Sequence, residues 1–193
     1  MKNQRPYLAI ATAALALAAT ARSEDKPAAS GPPSPPAEMA QLKPFAGQWS
    51  CTGKMEATPF GPAHKSITRV IAHSDLGGFW ISGRVTETKT AESPMPIAGM
   101  FHETWDPGNK QFLMLWVDNM GGWSQETSTG WNGDTIVFSG DGFGGGQKMG
   151  ERDSFTRKSD GEFLHTMELN LNGQWTALGQ ETCRAVAARS AVK

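Results

Sequence analysis

From residue 47 to 184 the chain is cut into runs of about six to eleven residues rich in Trp, Phe, Ile, Val and Thr, each ended by Gly, Asn, Asp or Pro. Runs of that length read as strands and the breaks as turns. They fall near 47–56, 64–74, 78–88, 97–105, 110–118, 122–130, 134–139, 147–157, 162–170 and 174–184. Leu76-Gly77-Gly78, Asp106-Pro107-Gly108-Asn109, Asn132-Gly133-Asp134, Ser159-Asp160-Gly161 and Asn172-Gly173 supply residues that accept positive φ or preset a turn. With every connection read as hairpin length, the strands form a meander, and about ten twisted strands in one sheet curl and close to hide their edges. The expected fold is therefore all-β, a single up-and-down antiparallel barrel of about ten strands. A β-sandwich competes, but it usually needs longer crossovers between sheets. The best helical candidate, Ala37 to Pro44, has room for two turns at most.

The remainder of the chain sets the boundaries. Lys2 and Arg5 precede an apolar run from Tyr7 to Ala19, and Ala19-Thr20-Ala21 fits a small-x-small cleavage site, so residues 1–21 read as a secretory signal peptide. A transmembrane helix would need about twenty apolar residues, more than this run holds. Residues 22–41 contain AASGPPSPP and read as a solvated Pro/Ala/Ser-rich linker. Residues 42–186 form the barrel domain, with 187–193 a disordered tail, and the expected location is periplasmic or secreted with no membrane anchor after cleavage. Cleavage removes two basic residues and no acid, leaving an excess of three acids. That balance, with basic residues scattered singly, argues against nucleic acid.

An exported chain with two cysteines suggests one disulfide. Cys51 lies in the first strand and Cys183 in the last, which become neighbours if the sheet closes; two buried free thiols are the alternative. Period-two alternation places Trp49, Cys51 and Met55 on one face, Phe79, Ile81 and Val85 opposite Ser82, Arg84 and Thr86, and Phe163, His165, Met167 and Leu169 together. Trp80 falls on the polar side, at a rim. Trp175, Ala177 and Cys183 share a parity with Glu181, which is expected near the barrel mouth because lone buried carboxylates are rare. Seven tryptophans and nine phenylalanines against one tyrosine either fill the core or line a cavity, with Trp49, Trp116, Phe163 and Met167 as lining and His165 or Arg84 orienting a ligand.

Motifs for specific chemistry are weak. His102-Glu103-Thr104-Trp105-Asp106 opens like a zinc-protease helix but lacks the second histidine and reads as a strand. His64, His73, His102 and His165 sit on different strands, so no metal site is expected. Gly140-Asp141-Gly142-Phe143-Gly144-Gly145-Gly146 resembles a phosphate loop without the following Lys and helix; it reads as a hairpin or mouth loop with Phe143 as a lid. Asp118, Glu126, Glu151 and Asp153 are available for acid and base work, but nothing in the sequence pairs them, and no catalytic residues are assigned.

The segments LKPFAGQWSCTGKME, LGGFWISGRVTE, LWVDNMGGWSQETSTGWNGDTIVFSG and DGEFLHTMELN resemble the bacterial family called domain of unknown function 1579, over about Leu42 to Arg184. The resemblance implies a lipocalin-like or calycin-like barrel and no established activity. Gly47-Gln48-Trp49 is also similar to the opening of nitrobindin-type haem barrels, where a late histidine ligates iron; that likeness would make His165 an axial ligand. Cys51 departs from the glycine usual there. The functional expectation is an exported protein binding a small apolar or amphipathic molecule inside the barrel, the alternatives being a haem protein or cavity enzyme and a structural module with a filled core.

Overall fold

The computed structural model describes residues 32–59 and 61–187. The signal peptide expected over 1–21, residues 22–31 of the linker and 188–193 of the tail lie outside the described residues.

The compact barrel unit begins at Ser34, ahead of the Leu42 expected from composition. Two 3-10 segments come first, Ala37–Gln41 and Lys43–Phe45, kept short by Pro36 and Pro44. The strands are β1 Gly47–Met55, β2 His64–Asp75, β3 Trp80–Glu87, β4 Ala98–Asp106, β5 Gln111–Asp118, β6 Trp123–Ser128, β7 Trp131–Asn132, β8 Thr135–Gly144, β9 Gln147–Ser159, β10 Glu162–Leu171 and β11 Gln174–Ala185. Pairing runs β6-β5-β4-β3-β2-β1-β11-β10-β9-β8, and β6 then pairs with β8 to close ten antiparallel strands into a barrel. The two-residue β7 hangs on β8 alone. Each of the ten long strands thus has two partners, and none leaves an open edge.

The expected strands are all present, with three local differences. The glycine run at 140–146 is strand rather than loop: β8 extends to Gly144 and turns through Gly145-Gly146. Phe143 faces outward there, stacked on Trp123 across the strand pair with ring centroids 6.4 Å apart, so it is part of the outer wall and not a lid. The connection from β3 to β4 is longer than a hairpin, and residues 88–97 are held by the Glu87 carboxylate, which accepts from Ser93 Oγ at 3.2 Å and Ile97 N at 3.1 Å. Finally, a bulge in the β10–β11 ladder between Met167 and Glu168 leaves Gly179 opposite Met167 and Ala177 opposite Glu168. The extra residue reverses parity, putting Trp175 and Ala177 outside while Glu181 and Cys183 stay inside.

The termini of the fold meet at β1–β11, where Cys51 stands directly opposite Cys183 and the two form a disulfide. The end of the barrel at which β1 starts is sealed. Met39, Leu42 and Phe45 from the 3-10 segments are buried against Trp49, Phe112, Ile136, Phe138 and Phe163. Two indoles tie the plug down: Trp49 Nε1 donates to Phe45 O and Trp131 Nε1 to Gln41 O, each at 3.0 Å. Each such apolar side chain contributes about 1.5–3 kcal/mol on burial, so apolar packing holds this end together.

Candidate functional site

The other half of the interior is polar. Register places Glu103 on β4 opposite Met114 on β5, Met114 opposite Glu126 on β6, Glu126 opposite Gly140 on β8, and Gly140 opposite Glu151 on β9. One inward-facing row across five strands therefore carries a glutamate at every other position. Asp153 follows Glu151 two residues along β9, on the same face, and Ser124 precedes Glu126 on β6. The Ser124 hydroxyl donates to Glu126 Oε1 at 2.8 Å.

Gly142 makes the convergence possible. A Cβ at that position would lie 2.1 Å from Glu151 Oε1, so the bare backbone of β8 lets the β9 carboxyl lean across toward β6. Gly99 does the same for the Trp116 ring, which would be 2.2 Å from a Cβ there. Trp116 Nε1 donates to Asp118 Oδ2 at 3.1 Å, fixing the indole beside Ser124.

Burial governs the charge state of this layer. Glu103 is 2% exposed with one oxygen unpartnered, and desolvation pushes its carboxyl up to about 8. Glu151 is pushed up to about 7 by burial and then by the neighbouring Asp153 charge, against the Ser124 hydrogen bond. Glu126 is raised by burial first and next by Asp153. The layer is thus able to hold protons near neutral pH and to exchange them for positive charge.

His165 joins this layer from β10. Its Nε2 meets Asp153 Oδ1 at 2.6 Å, and its ring lies flat on Phe155 with centroids 4.3 Å apart. Across the strand pair from it is Glu181. Glu181 is not at the mouth: it is 6% exposed beside the disulfide and accepts from Ser66 Oγ at 2.6 Å and from Thr68 Oγ1. Those two hydroxyls make a buried carboxylate tolerable. At the rim His64 Nε2 meets Glu87 Oε1 at 2.9 Å.

The residues singled out from sequence divide three ways. Trp49 and Phe163 are core, their rings 5.1 Å apart at the sealed end. Trp116, His165 and Met167 face the polar half. Arg84 is on the outer wall, exposed, with Nη2 leaning on Met100 Sδ at 3.8 Å; β3 turns Ile81, Gly83, Val85 and Glu87 inward, so Arg84 cannot orient an interior ligand. Haem does not fit the residues around His165. Its Nε2 is taken by Asp153 at 2.6 Å, and its other inward neighbour across the strand pair, Glu181, is again an acid and not a basic partner for a propionate. The surface concavity of about 700 Å³ beside Gln48, Ser50, Ile67 and Arg69 lies over the outside of β1 and β2 and does not extend into the acid layer.

The model of the family described as protein of unknown function DUF1579 matches residues 34–184. The chain belongs to the DUF1579 family. No curated protein matches this DUF1579 chain. Among solved structures it is similar to Rv2717c from M. tuberculosis, with a TM-score of 0.63 and 14% identity over 80% of this chain and 100% of that one. At that identity the likeness shows the fold alone, a barrel, and the acid layer stands on this chain's own residues.

Proposed function

We propose that this DUF1579 barrel is an exported protein that binds a small amphipathic molecule in the acid-rich half of its interior. The observation that carries the reading is the division of the interior. The sealed half, around Phe45, Trp49, Phe112 and Phe138, already contains enough apolar packing for stability. A second, acid-rich half costs stability, and its cost is understandable where the groups meet something other than the protein. Trp116 and Met167 would take the apolar part of a ligand, while the carboxyls and His165 set its orientation. Export is supported by the Cys51–Cys183 disulfide, which belongs to an oxidising compartment.

Native mass spectrometry of the protein produced in its own host tests the reading. A co-purifying small molecule is expected, and Trp116→Ala should lose it while melting within a few degrees of the parent. A clean apo mass, together with no uptake of 1-octanol added at millimolar concentration, would reject ligand binding in favour of a filled structural module.

A further inference from the structure

We propose that the polar end of the ligand is an organic cation, a protonated or quaternary amine, received by Glu126, Glu151 and Asp153. The inference rests on the ligand-binding reading above and adds the sign of the ligand's charge to it.

The argument starts from one atom. Glu126 is 1% exposed, and its Oε2 has no hydrogen-bond donor. What it faces is the Asp153 carboxyl. Two carboxyls turned toward each other in a buried layer lack positive charge between them, and either a proton or a cation supplies it. The surrounding strands do not. The inward groups packed on this layer are Asp118 from β5, Ser124 from β6, Glu151 and Asp153 from β9, His165 from β10 and Glu181 from β11, while β8 presents Gly140 and Gly142. His165 is the one group among them able to carry positive charge, and its Nε2 is already on Asp153. Among the described residues the strand lysines and arginines lie on the outer wall, apart from Arg157, which sits over the Trp131 ring at the sealed end.

A bare metal ion suits the layer poorly. Among the described residues, the three donor atoms that converge within 4.8 Å of one another are those of Cys51, Glu181 and Cys183, and both sulfurs are committed to the disulfide. Glu126 and Glu151 converge over the bare backbone of β8, yet with Asp153 they do not bring three donor atoms within 4.8 Å of one another. That spacing fits an ion whose charge is spread over methyl or methylene groups. Until such an ion arrives, the raised carboxyls of Glu126 and Glu151 hold protons. A fixed-charge cation must displace them, so its affinity rises with pH by up to about tenfold per unit for each proton released and fades in acid.

Calorimetric titration of the full chain at pH 8 with octyltrimethylammonium, octanoate and 1-octanol holds the tail constant and changes only the head. Octyltrimethylammonium should bind about tenfold tighter or more than the other two, and the preference should vanish at pH 5. In the double variant Glu126→Gln, Glu151→Gln, which keeps the shape of the protonated acids, the preference should vanish at both pH values while octanol binding persists. Equal affinity for the three heads, or preference for octanoate, would overturn the cation assignment and leave ligand binding standing. No binding of any of the three would overturn both. Thermal stabilisation by calcium or zinc chloride equal to that by octyltrimethylammonium would replace the organic cation with a metal.

Discussion

Glu103 isolates the energetic question at the scale of a residue. It sits between Ile81 and Met114 across its two strand partners, fully buried, with one oxygen unpartnered. Its carboxyl is pushed up to about 8 from the ordinary 4.5. Because the folded-state value is the higher one, the folded chain keeps a proton that the unfolded chain has released over that interval. The stability tied to that proton is therefore complete below about pH 4.5, declines by up to about 1.4 kcal/mol per pH unit, and is gone above about pH 8. Glu126 and Glu151 shift in the same direction and steepen the decline. Glu103→Gln, which stands for the protonated form, should leave the melting temperature at pH 5 nearly unchanged and raise stability at pH 8.5 by about 1 kcal/mol or more. Equal melting of the two proteins at both pH values would mean that the carboxyl is solvated in the folded state.

At the scale of the element, β8 decides whether the acids meet. Its two inward glycines do different work. A methyl at Gly142 would meet the flexible end of Glu151, whereas at Gly140 it would lie 2.0 Å from the Gln125 carbonyl oxygen, in the backbone of β6. Gly142→Ala should therefore cost about 1 kcal/mol or less but swing Glu151 out of the layer, returning its carboxyl toward the ordinary range in a carbon-detected NMR titration. Gly140→Ala should loosen the β6–β8 closure itself and cost about 1–3 kcal/mol or more. A Glu151 titration unmoved by Gly142→Ala would show that β8 does not gate the cluster. The strands were legible because each carries its own alternation and turn chemistry, Asn172-Gly173 and Ser159-Asp160-Gly161 among them. The acid layer was not, since Glu126 and Glu151 are brought together by a closure that skips β7, and no local pattern encodes that register. The bulge at Met167/Glu168 hid the true face of Trp175 for the same reason, and Glu181 was misplaced because its partners, Ser66 and Thr68, are more than a hundred residues away. The run Gly140-Asp141-Gly142, whose Gly140 pairs with Glu151, was the available signal: inward glycines in a strand ask what fills the space beside them.

For the whole molecule, closure is the step with the largest entropic cost. Every hairpin forms between neighbours in sequence, but β1 must find β11, and the seam they make runs in register from Trp49–Ala185 to Met55–Gly179. The disulfide closes a loop of 132 residues across that seam. Chain entropy assigns a cross-link of this span about 4–5 kcal/mol, acting mainly by restricting the unfolded state. In the double variant Cys51→Ala, Cys183→Ala, urea unfolding should then show a lower midpoint together with a steeper denaturant dependence, because the unfolded chain expands and exposes more surface. A lower midpoint with an unchanged slope would instead assign the loss to packing around Phe163 and Glu181, which flank the bridge. An unchanged midpoint would mean that the seam's own ladder and the plug at Phe45 close the barrel unaided. Closure matters to the proposed site as well, since His165 and Glu181 lie on the two strands that enter the seam from one side while Ser66 and Thr68 lie on the strand that enters from the other. Weakening the seam should therefore loosen the Glu181 network before it disturbs Glu126 and Glu151, which depend on the β6–β8 pair across the barrel.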